Sequence, residues 1–79
     1  MSLHEIAFHH VKDVEKAKEL TLLKSADLNK MNVFERTPLD EANAVLIMRG
    51  EEISTSLYVK YLRSLGAKEG REIIAERKI

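Results

Sequence analysis

The side chains that first invite chemistry are the histidines near the N-terminus and two pairs of adjacent carboxylates. His4-Glu5-Ile6-Ala7-Phe8-His9 approaches the metalloprotease helix pattern H-E-x-x-H, in which histidines four apart share one helix face and bind zinc. Here the spacing is one residue too long, which turns the two rings roughly 140° apart around a helix axis. His9 and His10 are adjacent and diverge as well. Without a third ligand these histidines read as ordinary helix residues, and no metal site is expected. Asp40-Glu41 and Glu51-Glu52 would suit general acid–base work. Both pairs fall where helices are expected to begin, and negative charge is favoured there by the helix dipole. The sequence has no Ser-His-Asp context, glycine-rich phosphate loop or nucleophile elbow. The expectation is a protein with no catalysis and no cofactor of its own.

Composition narrows the alternatives. The chain has 79 residues and 13 basic against 13 acidic side chains, so its formal net charge is zero. A neutral balance gives no bulk attraction to nucleic acid. Four aromatics and no tryptophan make a poor platform for stacking bases or sugars. No cysteine is present, which excludes disulfides, thiolate chemistry and Cys-ligated zinc or iron–sulfur clusters. The longest apolar run, Ala44 to Met48, is far too short to span a bilayer, so no membrane association is expected. Met1-Ser2-Leu3-His4-Glu5 lacks a basic stretch followed by an apolar one. No signal peptide is therefore expected, and the expected setting is the reducing cytoplasm. One small domain accounts for the whole length.

The elements that must position these residues are helical. Ser2 is the expected N-cap of a first helix to about Val11, with Leu3, Ile6, Ala7 and His10 on one side. Asp13 caps a second, Val14 to about Lys24, whose buried stripe is read as Val14, Ala17, Leu20 with Thr21, and a further leucine. The turn formers between Ser25 and Arg36 predict an extended loop or short hairpin. Thr37-Pro38-Leu39-Asp40 then opens a third helix: Thr caps, Pro takes the first helical position and Asp40 completes a capping box. Leu39, Ala42, Val45 and Leu46 form its apolar side, and Gly50 ends it. A fourth helix carries Leu57, Tyr58, Tyr61, Leu62 and Leu65, read as core, with a cap among Ser54 to Ser56 and a stop at Gly66. A short fifth helix, Arg71 to Lys78, is expected to cap the end of the fold through Ile73, Ile74 and Ile79. Its Arg71, Glu72, Glu76, Arg77 and Lys78 read as a solvated face.

Self-comparison shows a repeat. Leu3-His4-Glu5-Ile6-Ala7 aligns with Leu39-Asp40-Glu41-Ala42-Asn43 at an offset of about 36 residues, close to a repeat unit of about 33. Ala26-Asp27-Leu28-Asn29 precedes Arg36-Thr37-Pro38-Leu39-Asp40-Glu41-Ala42, and Tyr58 to Ala67 closes with Gly66-Ala67. On these residues the chain resembles the ankyrin-repeat family over about residues 2–68. The resemblance implies an all-α fold of two degenerate helix-turn-helix repeats: repeat one at about 2–29, a connecting hairpin loop at 29–37, repeat two at about 37–68 and a short C-terminal capping helix at 69–79. Against the family pattern, Glu35 stands at the hairpin glycine and Ser25 at the helix-ending glycine. Asp40 replaces the TPLH histidine, which His4 supplies in the first unit. The long connection between Leu39 and Ala67 makes 48–56 an insertion, either an extended inner helix or a loop.

What the resemblance implies about function is protein binding through hairpin tips and the adjoining face of the inner helices. The matching positions are Val33, Phe34 and Arg36 on the hairpin with Phe8, His9, Ala44 and Val45 on the inner helices. Independently, Met31-Asn32-Val33-Phe34 puts three apolar side chains in an expected surface loop, where such residues beside an arginine mark contact anchors. The competing reading is that Val33 or Phe34 folds back over the end of the stack. Stacked repeats normally need three or more units. With two, the shortfall must be met by the tail helix, by a protein partner or by self-association. The expected function is a non-catalytic interaction module that docks on a partner, in the narrower reading a small inhibitor of the immunity or anti-defence type. The alternative is a structural module whose homodimer completes the stack.

Overall fold

The computed structural model describes residues 2–77. Its order is α1 (Leu3–His10), α2 (Val14–Leu23), a 3-10 turn (Ser25–Asp27), α3 (Pro38–Met48), a 3-10 turn (Ile53–Thr55), α4 (Leu57–Ser64) and α5 (Gly70–Arg77). The fold is all-α, with no strand among the described residues. The starts of α1 to α4 have a local cause. Ser2 and Thr37 both form complete capping boxes, with Glu5 and Asp40 returning the bond, and Pro38 opens α3. Asp13 and Ser56 accept from the free N–H groups of Lys16 and Val59. The end of α4 is equally local. Gly66 takes φ 98°, its N–H donates to the Arg63 carbonyl, and the Ala67 N–H reaches back to Leu62. This reciprocal pair satisfies carbonyls the helix would leave open. Gly50 ends α3 the same way through Ile47 and Leu46.

α1 packs against α2 and, most extensively, against α3, while α4 closes the ring by packing against both α2 and α3. Between them lie Ala7, Val11, Ala17, Leu39, Ala42, Val45, Leu46, Tyr58, Val59, Leu62 and Ala67. Tyr58 is fully buried, and its hydroxyl meets that of buried Thr21 at 2.8 Å. Asn29 joins the two halves by donating to the Gly66 carbonyl and accepting from Lys68 N–H.

Two expectations about this core are corrected, and one left open is decided. Leu22 and Leu23 are 61% and 76% exposed, so neither is the further leucine of the α2 stripe. The buried line of that helix is Ala17 and Thr21, four apart, and the next two positions lie about 100° and 200° around the axis. Leu57 is exposed because it precedes the buried Tyr58–Leu62 line by one position. Leu65 is partly exposed as the C-cap, and Tyr61 lies half-buried against the core. The 48–56 segment is a loop rather than a longer α3, with half-buried Ile53 in its 3-10 turn and a Lys12–Glu51 ion pair beside it.

The C-terminal helix runs from Gly70, one residue earlier than the spacing predicts, to Arg77. Ile73 and Ile74 are half-buried. Lys78 and Ile79, assigned to this cap from the sequence, lie outside the described residues. Arg63 in α4 holds α5 by donating to Glu69 at 3.0 Å and Glu72 at 2.7 Å. Glu72 also accepts the Glu69 N–H, and that bond and then the arginine hold its carboxyl below the usual range. The chain exposes 5041 Å², against about 4,900 Å² for an average folded monomer of its mass. Two helix pairs with α5 therefore leave about as much surface open as a self-sufficient domain of this mass does.

Candidate protein-binding surface

The segment between the two helix pairs is built around one side chain. Asn32 Oδ1 accepts the N–H groups of Phe34 (2.9 Å) and Arg36 (3.1 Å). The Asn32 N–H donates to the Arg36 carbonyl, and the Glu35 N–H donates to that of Asn32. This short hairpin turn closes without a strand and throws its tip outward. Val33 is 90% exposed and Phe34 77%. Neither folds back over the stack; half-buried Met31, the third apolar residue, is the one turned inward.

Closing the turn puts Glu35 at φ 58°, in the left-handed region. A residue with a Cβ pays about 1–2 kcal/mol there, and glycine does not. Glycine loses about 0.5–1 kcal/mol in backbone entropy. Glu35→Gly is expected to stabilise the fold by about 0.5–1 kcal/mol, read as a higher urea midpoint with an unchanged slope.

The base of the hairpin is fastened to α1 and α3. His4 Nε2 donates to the Arg36 carbonyl at 2.7 Å, and the Arg36 guanidinium pairs with Glu41 at 2.9 Å. Arg36, expected as a free contact anchor, is thus partly spent on holding the turn, and His4 serves as its second fastening. Among the described residues no three His, Asp or Glu side chains converge as a metal site.

Between tip and helix lies an open groove of about 400 Å³. One wall is the α1 face carrying His4, Glu5, Phe8 and His9, positions that helical spacing stacks in two adjacent rows. The other wall is Asn32, Phe34 and Arg36, with Glu41 of α3 at the floor. The Phe8 ring is 37% exposed and meets the His9 ring edge to face at 5.1 Å. Four residues chosen from the sequence, Phe8, His9, Phe34 and Arg36, therefore share one concave surface, with Val33 beside it at the tip.

No family model, curated protein or solved structure matches the chain.

Two of the expected contact residues fall elsewhere. Val45 is 3% exposed and belongs to the core between the helix pairs, so it offers nothing to a partner. The sequence had assigned it to both faces of α3, and packing decided for the inner one. Ala44 is half-buried and does not line the groove. Sequence reasoning missed Glu5, Asn32 and Glu41 as groove residues and saw His4 only as a possible ligand or repeat-pattern residue. Glu5 and His4 were readable, lying one helical turn before His9 and Phe8. The Arg36–Glu41 pair was not, because it depends on how the hairpin enters α3.

Proposed function

We propose that this chain is a non-catalytic recognition module, an ankyrin-like pair of repeats with a C-terminal cap, which docks on a protein partner through the hairpin tip and the groove beside it. The observation that carries the reading is the pair Val33 and Phe34, 90% and 77% exposed on a turn whose base is tied to two helices. A large apolar side chain held out to solvent on a fixed backbone gives a partner contact area at little ordering cost. The groove adds Phe8 as an apolar wall residue with Glu5, His9 and Arg36 as polar neighbours, the usual mixture of an interface. Recognition would act sterically, with a preformed surface covering or positioning the partner. In the narrower reading this surface belongs to an inhibitor, of the immunity or anti-defence kind, working in the cytoplasm. No helix among the described residues is long and apolar enough to cross a membrane.

The test is capture from the native cell with the wild-type chain and with a Val33→Ser, Phe34→Ser variant, which leaves the Arg36–Glu41 tie intact. A protein retained by the first and lost by the second, with circular dichroism unchanged, is expected. Equal retention by both would remove the hairpin from the interface. Light scattering on both preparations is expected to give a monomer, in keeping with the ordinary exposed area. A dimer of the wild type that dissociates in the variant would instead favour the self-associating structural module.

A further inference from the structure

The hairpin and the C-terminal helix share one carboxylate oxygen. Asp40 Oδ2 accepts the N–H of Thr37, where the hairpin enters α3, at 2.9 Å, and the N–H of Gly70, the first residue of α5, also at 2.9 Å. The Thr37 hydroxyl adds a second tie by donating to the Lys68 carbonyl at 2.7 Å. Gly70 lies so close to the hairpin that a Cβ on it would overlap the Glu35 carbonyl oxygen and stand 3.2 Å from Met31 Cε. Glu35 is the residue held at positive φ. The direction of its carbonyl is set by that conformation, so the seat of Gly70 and the strained turn depend on each other. Beyond the base, the tip is braced from within by Asn32.

We infer that α5 is a clasp that positions the hairpin, so that docking of the C-terminal helix and presentation of Val33 and Phe34 are two sides of one equilibrium. This deepens the proposed binding role of the tip and rests on it. The coupling itself is intramolecular and is measured with no partner present. A partner that selects the clasped tip would tighten α5, and whatever draws α5 away would weaken recognition by the same factor.

The experiment is amide hydrogen exchange by NMR on the full chain, comparing wild type with Gly70→Ala and Arg63→Ala. Gly70→Ala places a methyl group where the Glu35 carbonyl sits. Arg63→Ala loosens α5 remotely, since the hydrogen bonds of its side chain go to Ala67, Glu69 and Glu72 and none to the hairpin. The amides of Phe34 and Glu35 report best, because their acceptors lie on Asn32, which is not among the groups nearest a Cβ at Gly70; the Arg36 amide, in one peptide unit with the Glu35 carbonyl that Gly70→Ala displaces, counts only in Arg63→Ala. Protection of these reporting amides is expected to fall about tenfold in Gly70→Ala and about threefold in Arg63→Ala, with Val45 and Leu46 in the core unchanged. Loss of protection confined to α5 in both variants would overturn the coupling. A uniform loss that includes the core would overturn it too, by making both residues matter only for global stability. Should Gly70→Ala fail to fold, Arg63→Ala decides on the same two criteria. If the coupling holds and the tip captures no partner, the binding role alone falls.

Discussion

Replacing Tyr58 with alanine is expected to remove about half or more of the folding free energy of the chain at 25 °C. Truncating a fully buried aromatic typically costs about 3–5 kcal/mol, and Tyr58 is 0% exposed at the centre of the core. The loss does not stop at the ring, because the Thr21 hydroxyl, also 0% exposed, loses its 2.8 Å partner. A stranded buried polar group adds about 1–3 kcal/mol. A chain of this length has roughly 4–12 kcal/mol of total stability at about 0.05–0.15 kcal/mol per residue, so the combined loss takes a large share of it, and all of it toward the lower end of that range. Tyr58→Phe separates the two contributions. It keeps the ring and is expected to cost about 1–2 kcal/mol, while Tyr58→Phe with Thr21→Val should lie closer to wild type than the sum of the single changes. Urea unfolding of the four proteins measures this directly. A double variant at or beyond the sum would show that the two hydroxyls do not act as a pair.

The same side chain sets an alkaline limit. Burial pushes the Tyr58 hydroxyl above its ordinary value near 10; the Thr21 hydrogen bond pulls partly the other way and Tyr61 adds to the rise. A raised value means the folded state holds its proton longer than the unfolded chain does. The contribution is therefore fully present below pH about 10 and is lost as pH rises beyond it toward the folded value. Tyr58→Phe should lack that loss. Stability measured from pH 9 to 11 is expected to fall more steeply for wild type than for the phenylalanine variant.

Phe34→Ala is expected to do the opposite: little to stability and much to binding. A side chain 77% exposed contributes almost no burial to the fold, whereas an aromatic anchor at the centre of an interface typically costs 2 kcal/mol or more when truncated, about 30-fold in Kd. Phe8→Ala should show a mixed effect, because that ring is only 37% exposed and faces the groove from α1. Calorimetric titration against the captured partner, beside the thermal midpoint of each variant, separates the two. A Phe34→Ala protein that binds as tightly as wild type would place the interface elsewhere. The exposed Ile47 and Met48 at the end of α3 would be the next surface to examine.

Much of this fold was legible because its signals are local. Thr37-Pro38-Leu39-Asp40 starts a helix by satisfying its own first N–H groups, and Gly66 stops one by taking a conformation other residues avoid. Such events need no distant neighbour, so capping chemistry and periodicity determined the all-α class and the position of nearly every helix, while they left open whether Val33 and Phe34 point outward or fold back. They also determined the absence of thiol chemistry, since that follows from residue types alone. What the sequence left undecided is the rotation of each helix about its axis. Leu22, Leu23 and Leu57 are as apolar as Leu39 and Leu62, yet only the latter two meet a facing helix. Val45 could serve a surface or a core by its type, and packing against the neighbouring helices placed it inside. The ties that matter most for the binding tip join residues about 30 positions apart, His4 to Arg36 and Asp40 to Gly70. Hydrogen bonds of that span depend on the register of stacked helices, which is set by how their side chains fill the space between them. Local chemistry chose the elements, and only their packing decided which side chains remained free to meet a partner.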